Sequence, residues 1–127
     1  MMAVDTSALM AIVLNEPEAE ACAAALEQED DLLISAGTVA EAMIVAGRRN
    51  VAEEMAQLIH GLGFTVISVT PAAAHRIAQA YARWGKGAHR AALNFGDCFA
   101  YEVAKEHQCP LLFVGLDFTK TDIASAL

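Results

Sequence analysis

The sequence is poor in positive charge. Its 127 residues contain 8 Lys and Arg against 16 Asp and Glu, which gives a net charge of −8. Proteins that hold nucleic acid through their overall charge are basic, because neutralising phosphates releases bound counterions. The overall charge therefore does not predict strong nonspecific binding to nucleic acid. Any contact with nucleic acid has to come from a local group of basic residues.

Cysteine is scarce as well, and long apolar runs are absent. Cys22, Cys98 and Cys109 are an odd number at wide spacing, which predicts reduced core side chains rather than a disulfide framework or a zinc knuckle. Although 56% of the residues are hydrophobic, charges interrupt them before any run reaches the roughly 20 residues that span a bilayer. We expect no membrane partner.

The length suits one domain, and we predict that residues 1–127 form a single domain around one core. The first residues, Met1-Met2-Ala3-Val4-Asp5, lack the basic segment and the long apolar stretch of a secretory signal. We therefore expect a cytoplasmic location.

Strand and helix patterns alternate along the chain. Short apolar runs predict strands at 3–4, 32–35, 64–69 and 111–114, of which 64–69 is the clearest. Helical periodicity and capping residues predict helices over 6–14, 17–28, 38–49, 52–61, 71–84 and 96–107. This order, with strands that are apolar throughout, predicts an α/β fold with a parallel sheet covered by helices on both faces.

Two acidic residues follow predicted strands. Asp5 comes directly after the first strand, and Asp117 lies three residues beyond Val114, the end of the last one. Ligands of open parallel sheets bind beyond the carboxyl ends of the strands, so both side chains are candidates for a site at that edge. The alternatives are a helix N-cap for Asp5 and a turn residue for Asp117.

Two further acids lie in apolar surroundings. Glu41 is the only ionisable residue between Asp31 and Arg48, and Asp97 opens an apolar helix. A carboxylate buried without a counter-charge costs several kcal/mol, so we expect a partner for Glu41 unless its helix exposes it to water. Asp97 could alternatively serve the helix dipole alone.

The coincidence of four acids that can reach one edge calls for a common cause. Two carboxylates about 4 Å apart repel by about 4 kcal/mol at an effective dielectric of about 20. A divalent cation removes this repulsion, and oxygen ligands without His or Cys suit Mg²⁺ or Mn²⁺. The chemistry that follows is metal-assisted hydrolysis of a phosphodiester.

Several short segments also match a known pattern. They are Asp5-Thr6-Ser7-Ala8-Leu9, Asn15-Glu16-Pro17-Glu18-Ala19, Ile34-Ser35 with Glu41, Asn94-Phe95-Gly96-Asp97-Cys98-Phe99-Ala100-Tyr101, Leu111-Leu112-Phe113-Val114-Gly115 and Asp117-Phe118 with Thr121-Asp122-Ile123. Over essentially the whole chain the sequence resembles PIN-domain nucleases, specifically the VapC toxins of bacterial VapBC toxin–antitoxin pairs. The stretch from Asn94 to Tyr101 is the most specific.

The resemblance implies a PIN-like three-layer α/β/α fold with a central parallel sheet of four to five strands. It also implies that Asp5, Glu41, Asp97 and Asp117 form a catalytic and metal-binding acidic quartet. Thr6 or Ser7 would help to hold the metal or its water, and Asn94 would support the site or cap its helix. One departure is Leu116, where similar proteins carry a polar residue; Asp122 is a second acid nearby, better suited to ordering the C-terminal segment.

The resemblance further implies an RNA substrate, a cognate VapB-type antitoxin that blocks the acidic site, and a homodimer. Arg83, Lys86 and Arg90 flank a glycine-containing loop just before the Asp97 segment, and we predict that they contact RNA phosphates. An ordinary solvated loop is the alternative. The Ala-rich helices and the side chains of Leu9, Ile12 and Leu14 could receive the antitoxin or belong to the core.

Other functions remain open at this level. A PIN-fold binding module that has lost catalysis at Leu116 is one, and cleavage of DNA is another. A receiver-like signalling domain shares the parallel plan, but it needs paired acids after the first strand, where Asp5 stands alone. The sequence does not identify the RNA or the number of metal ions.

Overall fold

The computed structural model describes residues 1–127 as four strands, six helices and one short 3₁₀ turn. The strands are β1 (Met2–Val4), β2 (Leu32–Ser35), β3 (Thr65–Ile67) and β4 (Leu111–Leu112). The helices are α1 (Thr6–Val13), α2 (Ala19–Glu27), α3 (Ala36–Arg48), α4 (Ala52–Leu62), α5 (Pro71–Trp84) and α6 (Phe95–Glu106). The 3₁₀ turn covers Asp117–Lys120, after β4.

The strands form one parallel sheet in the order β3-β2-β1-β4. Strands β1, β2 and β3 follow one another from the middle of the sheet to one edge. The chain then passes through α5 and α6, and β4 pairs with the other side of β1. The order therefore reverses between β1 and β4, which is the point where parallel sheets form their binding crevice. The predicted parallel α/β sheet is confirmed, with four strands.

Helices cover both faces of the sheet, because alternate strand residues point to opposite sides. In β1, Ala3 packs into a core with α5 and α6, whereas Met2 and Val4 pack into a second core with α1, α3 and α4. Leu33 and Ile34 of β2 divide in the same way. The predicted arrangement with helices on both faces is confirmed.

The structure corrects three element predictions. The last strand, predicted over 111–114, covers only Leu111–Leu112. The strand predicted over 64–69 covers only Thr65–Ile67, and Thr65 and Val66 are exposed, because β3 is the edge strand next to β2. Its β-branched residues thus reflect strand propensity rather than burial. Helix α2 begins at Ala19 rather than at Pro17, and Glu18 supplies no side-chain cap.

Other predictions are settled by burial. Cys22 and Cys98 are buried, Cys109 is partly buried, and all three are free thiols, as predicted. Leu9 of α1 is fully buried in the same core as Met2 and Val4, so it is not available to a partner. Ile12 and Leu14 are partly buried and pack against the same core. No helix combines the length and the apolar character needed to cross a membrane.

Candidate functional site

The four predicted acids converge at the reversal point of the sheet. Asp5 follows β1, Asp117 opens the 3₁₀ turn after β4, Glu41 lies in the second turn of α3, and Asp97 lies in the first turn of α6. Their charges interact: Asp5 is repelled by Asp97 and Glu41, and Asp97 by Glu41 and Asp117. None of the four forms an ion pair with a basic side chain.

Asp5 is the most deeply placed of these acids, with only 3% of its surface exposed. It caps α1, and its Oδ2 accepts hydrogen bonds from the Ser7 amide at 3.0 Å and from Ser7 Oγ at 2.6 Å. Burial raises the pKa of Asp5 to about 7, although the two bonds from Ser7 oppose that shift. The other oxygen, Oδ1, is buried and has no hydrogen-bond partner.

Ser7 also connects the ends of the neighbouring strands β1 and β4. Its Oγ accepts a hydrogen bond from the Val114 amide at 3.0 Å, and the Asp5 amide donates to the Leu112 carbonyl at 3.0 Å. The Asp5 carboxylate is therefore fixed relative to the end of β4. The predicted supporting role of Ser7 corresponds to a hydrogen bond with Asp5.

Glu41 is held by two neighbours. The Thr6 hydroxyl donates to Glu41 Oε1 at 2.6 Å, and Glu41 Oε2 lies directly against Gly96. A Cβ at position 96 would overlap that oxygen, so glycine is what allows the carboxylate to approach the start of α6. The partial positive charge of a helix N-terminus favours a carboxylate there. The partner expected for Glu41 is thus a hydroxyl and a helix end rather than a basic residue.

Asp97 takes part in a capping box with Asn94. Its amide donates to Asn94 Oδ1 at 2.8 Å, and its Oδ2 accepts from the Asn94 amide at 2.9 Å. Burial raises the pKa of Asp97 to about 6, and repulsion by Glu41 and Asp117 adds to the shift, whereas the Asn94 hydrogen bond opposes it. The capping role foreseen for Asn94 is confirmed, and the reciprocal bond from the Asn94 amide orients Asp97 within the cluster.

Asp117 is exposed and makes no side-chain hydrogen bond of its own. The neighbouring Leu116 is 71% exposed, so this departure from the family pattern adds no polar group to the site. Asp122 lies apart from the quartet: it accepts hydrogen bonds from Tyr101 and Lys105 and orders the C-terminal segment, as predicted.

The carboxylate oxygens of the quartet are the kind of ligand that suits a hard divalent cation. Asp5, Glu41 and Asp97 each use one oxygen for a neutral hydroxyl or amide donor and leave the other without a hydrogen bond. No three His, Cys, Asp or Glu side chains lie close enough together in this structure to form a metal-binding group. The unpartnered, buried Oδ1 of Asp5 is the atom that most requires a positive ligand.

The structure places the three predicted RNA-binding residues in and beside the loop between α5 and α6, and all three are exposed. Lys86 and Arg90 are exposed in the loop between α5 and α6, which is closed by hydrogen bonds from Lys86 to Leu93 and from Leu93 to Trp84, both 3.0 Å. Arg83 is still on α5, and its guanidinium lies 4.5 Å from the centre of the Trp84 ring. Only Lys86 and Arg90 therefore belong to the loop that leads into Asn94 and Asp97.

Two apolar grooves flank Phe95, which is 69% exposed at the start of α6. The first groove has a volume of 400 Å³ and contains Glu41, Ile44 and Arg48, together with Phe95 and Phe99. The second, of 380 Å³, is entirely apolar and lies along α5 beside the same two phenylalanines. Sequence reasoning missed this surface and the contact between Gly96 and Glu41; a glycine in the first turn of a helix was the available signal for the contact.

Comparison with known proteins gives a consistent result. A model of the PIN domain matches residues 2–124. Ribonuclease VapC36 of Mycobacterium tuberculosis is 45% identical over 126 residues, which cover 96% of this chain and 91% of that protein. Ribonuclease VapC of Mycolicibacterium smegmatis is 39% identical over 127 residues and covers 98% of both chains.

Solved structures share the fold at low sequence identity. The crystal structure of Mycobacterium tuberculosis VapC20, described as a toxin that cleaves the sarcin-ricin loop, has a TM-score of 0.80 at 15% identity, covering 98% of this chain and 97% of that one. A toxin–antitoxin complex from Klebsiella pneumoniae has a TM-score of 0.72 at 19% identity, covering 100% of this chain and 98% of that one. These structures agree with the fold, and the family model together with the sequence relatives shows that this chain belongs to the PIN-domain family, among the VapC ribonucleases.

Proposed function

We propose that this protein is an endoribonuclease toxin that hydrolyses RNA phosphodiester bonds at a Mg²⁺ or Mn²⁺ site and acts in the cytoplasm. The metal would be held by Asp5, Glu41, Asp97 and Asp117. The sequence relatives support RNA as the substrate class, because they are named ribonucleases. The observation that carries the metal site is the buried Asp5 Oδ1, an unpartnered oxygen among mutually repelling carboxylates.

A divalent cation bound there supplies charge neutralisation and activation of water for in-line attack on a phosphodiester. The protein's own contribution is to hold the carboxylates in position. Ser7 orients Asp5, Thr6 orients Glu41, and the capping box with Asn94 orients Asp97. Each of these neutral donors leaves one carboxylate oxygen free for the ion.

We assign the grip on RNA to Lys86 and Arg90. Both are exposed in the loop that ends one residue before Asn94, so phosphates bound there would lie next to the segment that carries Asp97. We place Arg83 further from this track because it covers the Trp84 ring. These local charges would offset the net charge of −8 that disfavours general nucleic-acid binding.

We assign the two apolar grooves to two different partners. The groove that contains Glu41 suits a cognate VapB-type antitoxin, because an apolar segment could fill it while a basic side chain pairs with the carboxylate. The relationship to a toxin–antitoxin complex supports this kind of partner. The wholly apolar groove along α5 suits a second copy of the chain, since a two-fold contact joins the same surface to itself.

Cleavage should depend on both the ion and the carboxylates. Asp97→Asn retains an amide that can cap α6, and we expect it to lower the cleavage rate by on the order of 100-fold or more. The measurement is RNA cleavage by the purified chain, free of antitoxin, with Mg²⁺ or Mn²⁺ and with EDTA. Asp30→Asn, in an exposed turn, is the matched control. If folded, metal-loaded protein cleaves none of several RNA classes, the chain is a binding module instead.

The pH dependence of stability should show that the buried charge of Asp5 is unfavourable. Because its pKa is raised to about 7, the folded protein keeps a proton that the unfolded chain releases above about pH 4. The free energy of unfolding should therefore fall as the pH rises from about 4 to 7, and Asp97 acts in the same direction.

Asp5→Asn keeps the N-cap but removes the charge, so it should raise the free energy of unfolding at pH 8 by about 1–3 kcal/mol and flatten the pH profile. Urea unfolding between pH 5 and 8 without metal measures both effects. Mg²⁺ should stabilise the wild type above pH 7 and not Asp5→Asn. A wild-type profile that does not decline would contradict a strained Asp5.

Salt dependence should identify the RNA track. Changing both Lys86 and Arg90 to Gln should weaken RNA binding and reduce the slope of log affinity against log salt concentration by about 1–2. Fluorescence anisotropy with the Asp97→Asn variant allows binding to be measured without cleavage. Arg49→Gln, an exposed change at the end of α3, should leave the slope unaltered. An unchanged slope in the double variant would remove the loop from the binding site.

Self-association should use the groove along α5. Light scattering at micromolar concentration should give a dimer mass for the wild type and a monomer mass for Ala78→Glu, which places a charge in that groove. Ala82→Glu, one turn further along α5 and outside the groove, should remain dimeric. A monomeric wild type refutes the dimer, and a dimeric Ala78→Glu variant refutes this choice of surface.

A further inference from the structure

A hydrogen-bonded chain links three parts of the structure outside the acidic quartet. Trp84 Nε1 donates to the Tyr101 hydroxyl at 2.9 Å, and that hydroxyl donates to Asp122 Oδ1 at 2.7 Å. Lys105 Nζ donates to Asp122 Oδ2 at 3.1 Å. Trp84 and Tyr101 are buried, so the chain runs from the core between α5 and α6 out to the C-terminal segment.

The two residues that donate hydrogen bonds to Asp122 lie on the same side of α6 as Asp97. Asp97, Tyr101 and Lys105 follow one another at intervals of four residues, which places them on successive turns about 6 Å apart. Asp122 is fastened to the second and third of these positions, while Asp117 lies close enough to the first for the two charges to repel. The segment from Asp117 to Asp122 therefore lies along α6.

Asp117 has no hydrogen bond that could fix its own side chain. Before it, the chain turns at Gly115, which has a φ of 107°, and Leu116 is mostly exposed. After it, Phe118 is buried against Phe113, with 5.1 Å between ring centres. The Thr119 amide donates to the Leu116 carbonyl at 3.1 Å and closes the turn around Asp117. Phe118 and then Asp122 attach this turn to the core and to α6.

We propose that Asp122 is a positioning residue for the reaction: bound to Tyr101 and Lys105, it holds the segment that places Asp117 opposite Asp97. The inference rests on the proposed function, since it concerns how one member of the quartet is presented. It does not require Asp122 to touch the ion or the RNA. Burial, and next the hydrogen bond to Asp122, raise the pKa of Tyr101 to about 12, so the hydroxyl remains a proton donor.

A purely structural role for Asp122 predicts a different outcome from a positioning role. The Lys105 contact joins two side chains that are 47% and 36% exposed, and such pairs contribute little to stability. Asp122→Asn removes the charge and leaves one neutral acceptor oxygen for two donors. The variant should therefore stay folded while the Asp117 segment becomes less well placed. Displacing a functional group by about 1 Å can cost on the order of 100-fold in rate.

The test is a double-mutant cycle between Asp122→Asn and Asp117→Asn, with kcat and KM for RNA cleavage in Mn²⁺. Asp122→Asn should lower kcat by about 10-fold with KM nearly unchanged. In the Asp117→Asn background the same change should cost less than about twofold, because there is no longer a carboxylate to position. Asp30→Asn provides the matched control in both backgrounds.

A second readout is independent of turnover. Isothermal titration of the folded chain with Mn²⁺ alone should show about 10-fold weaker binding for Asp122→Asn. Tyr101→Phe removes the donor without changing the charge, and it should reproduce both effects in the same direction. If Asp122→Asn does not fold, Tyr101→Phe decides the question by itself.

The outcomes separate the two proposals. If kcat is unchanged in Asp122→Asn, or if its effect multiplies fully with that of Asp117→Asn, Asp122 does not act through Asp117. That result leaves the ribonuclease proposal intact as long as Asp97→Asn is inactive. If Asp97→Asn cleaves RNA like the wild type, the acidic quartet itself is wrong, and the failure lies with the proposed function.

Discussion

Mutual repulsion among four carboxylates at one edge of the sheet is the constraint on which the rest of this structure depends. Asp5, Glu41, Asp97 and Asp117 approach one another without a basic side chain bonded to any of them. At Asp5 burial is the larger cause of the cost and raises the pKa to about 7, and repulsion by Asp97 and Glu41 adds to it. Functional sites that bury charge in this way lower the free energy of unfolding. Favourable interactions in the rest of the fold have to compensate for that loss.

The surrounding fold responds with neutral donors and helix ends rather than with counter-charges. The hydroxyls of Ser7 and Thr6 and the capping box at Asn94 each engage one carboxylate oxygen, and Gly96 lets Glu41 reach the start of α6. An arginine or lysine in these places would satisfy the carboxylates and compete with a cation. Neutral donors fix the geometry and leave negative charge unpaired at this edge, as the proposed metal site requires.

The sequence predictions succeeded where local chemistry decides the outcome. Asp97 could be placed because the capping pattern with Asn94 starts its helix, and Asp5 because it ends an apolar strand. They failed where burial depends on the position of a strand in the sheet. The run 64–69 has strong strand propensity, but β3 is an edge strand and only Thr65–Ile67 pairs.

By itself the sequence determined the alternation of strands and helices, the parallel sheet and the four acids that could meet at its edge, because these follow from periodicity, capping and the chemistry of carboxylates. Tertiary structure alone decided which oxygens remain free, that Gly96 admits Glu41, and that Asp122 fastens the segment bearing Asp117 to α6. The last two features join residues that are 55 and 21 positions apart in the chain. No local pattern encodes such distances; they exist only once both cores have packed against the sheet.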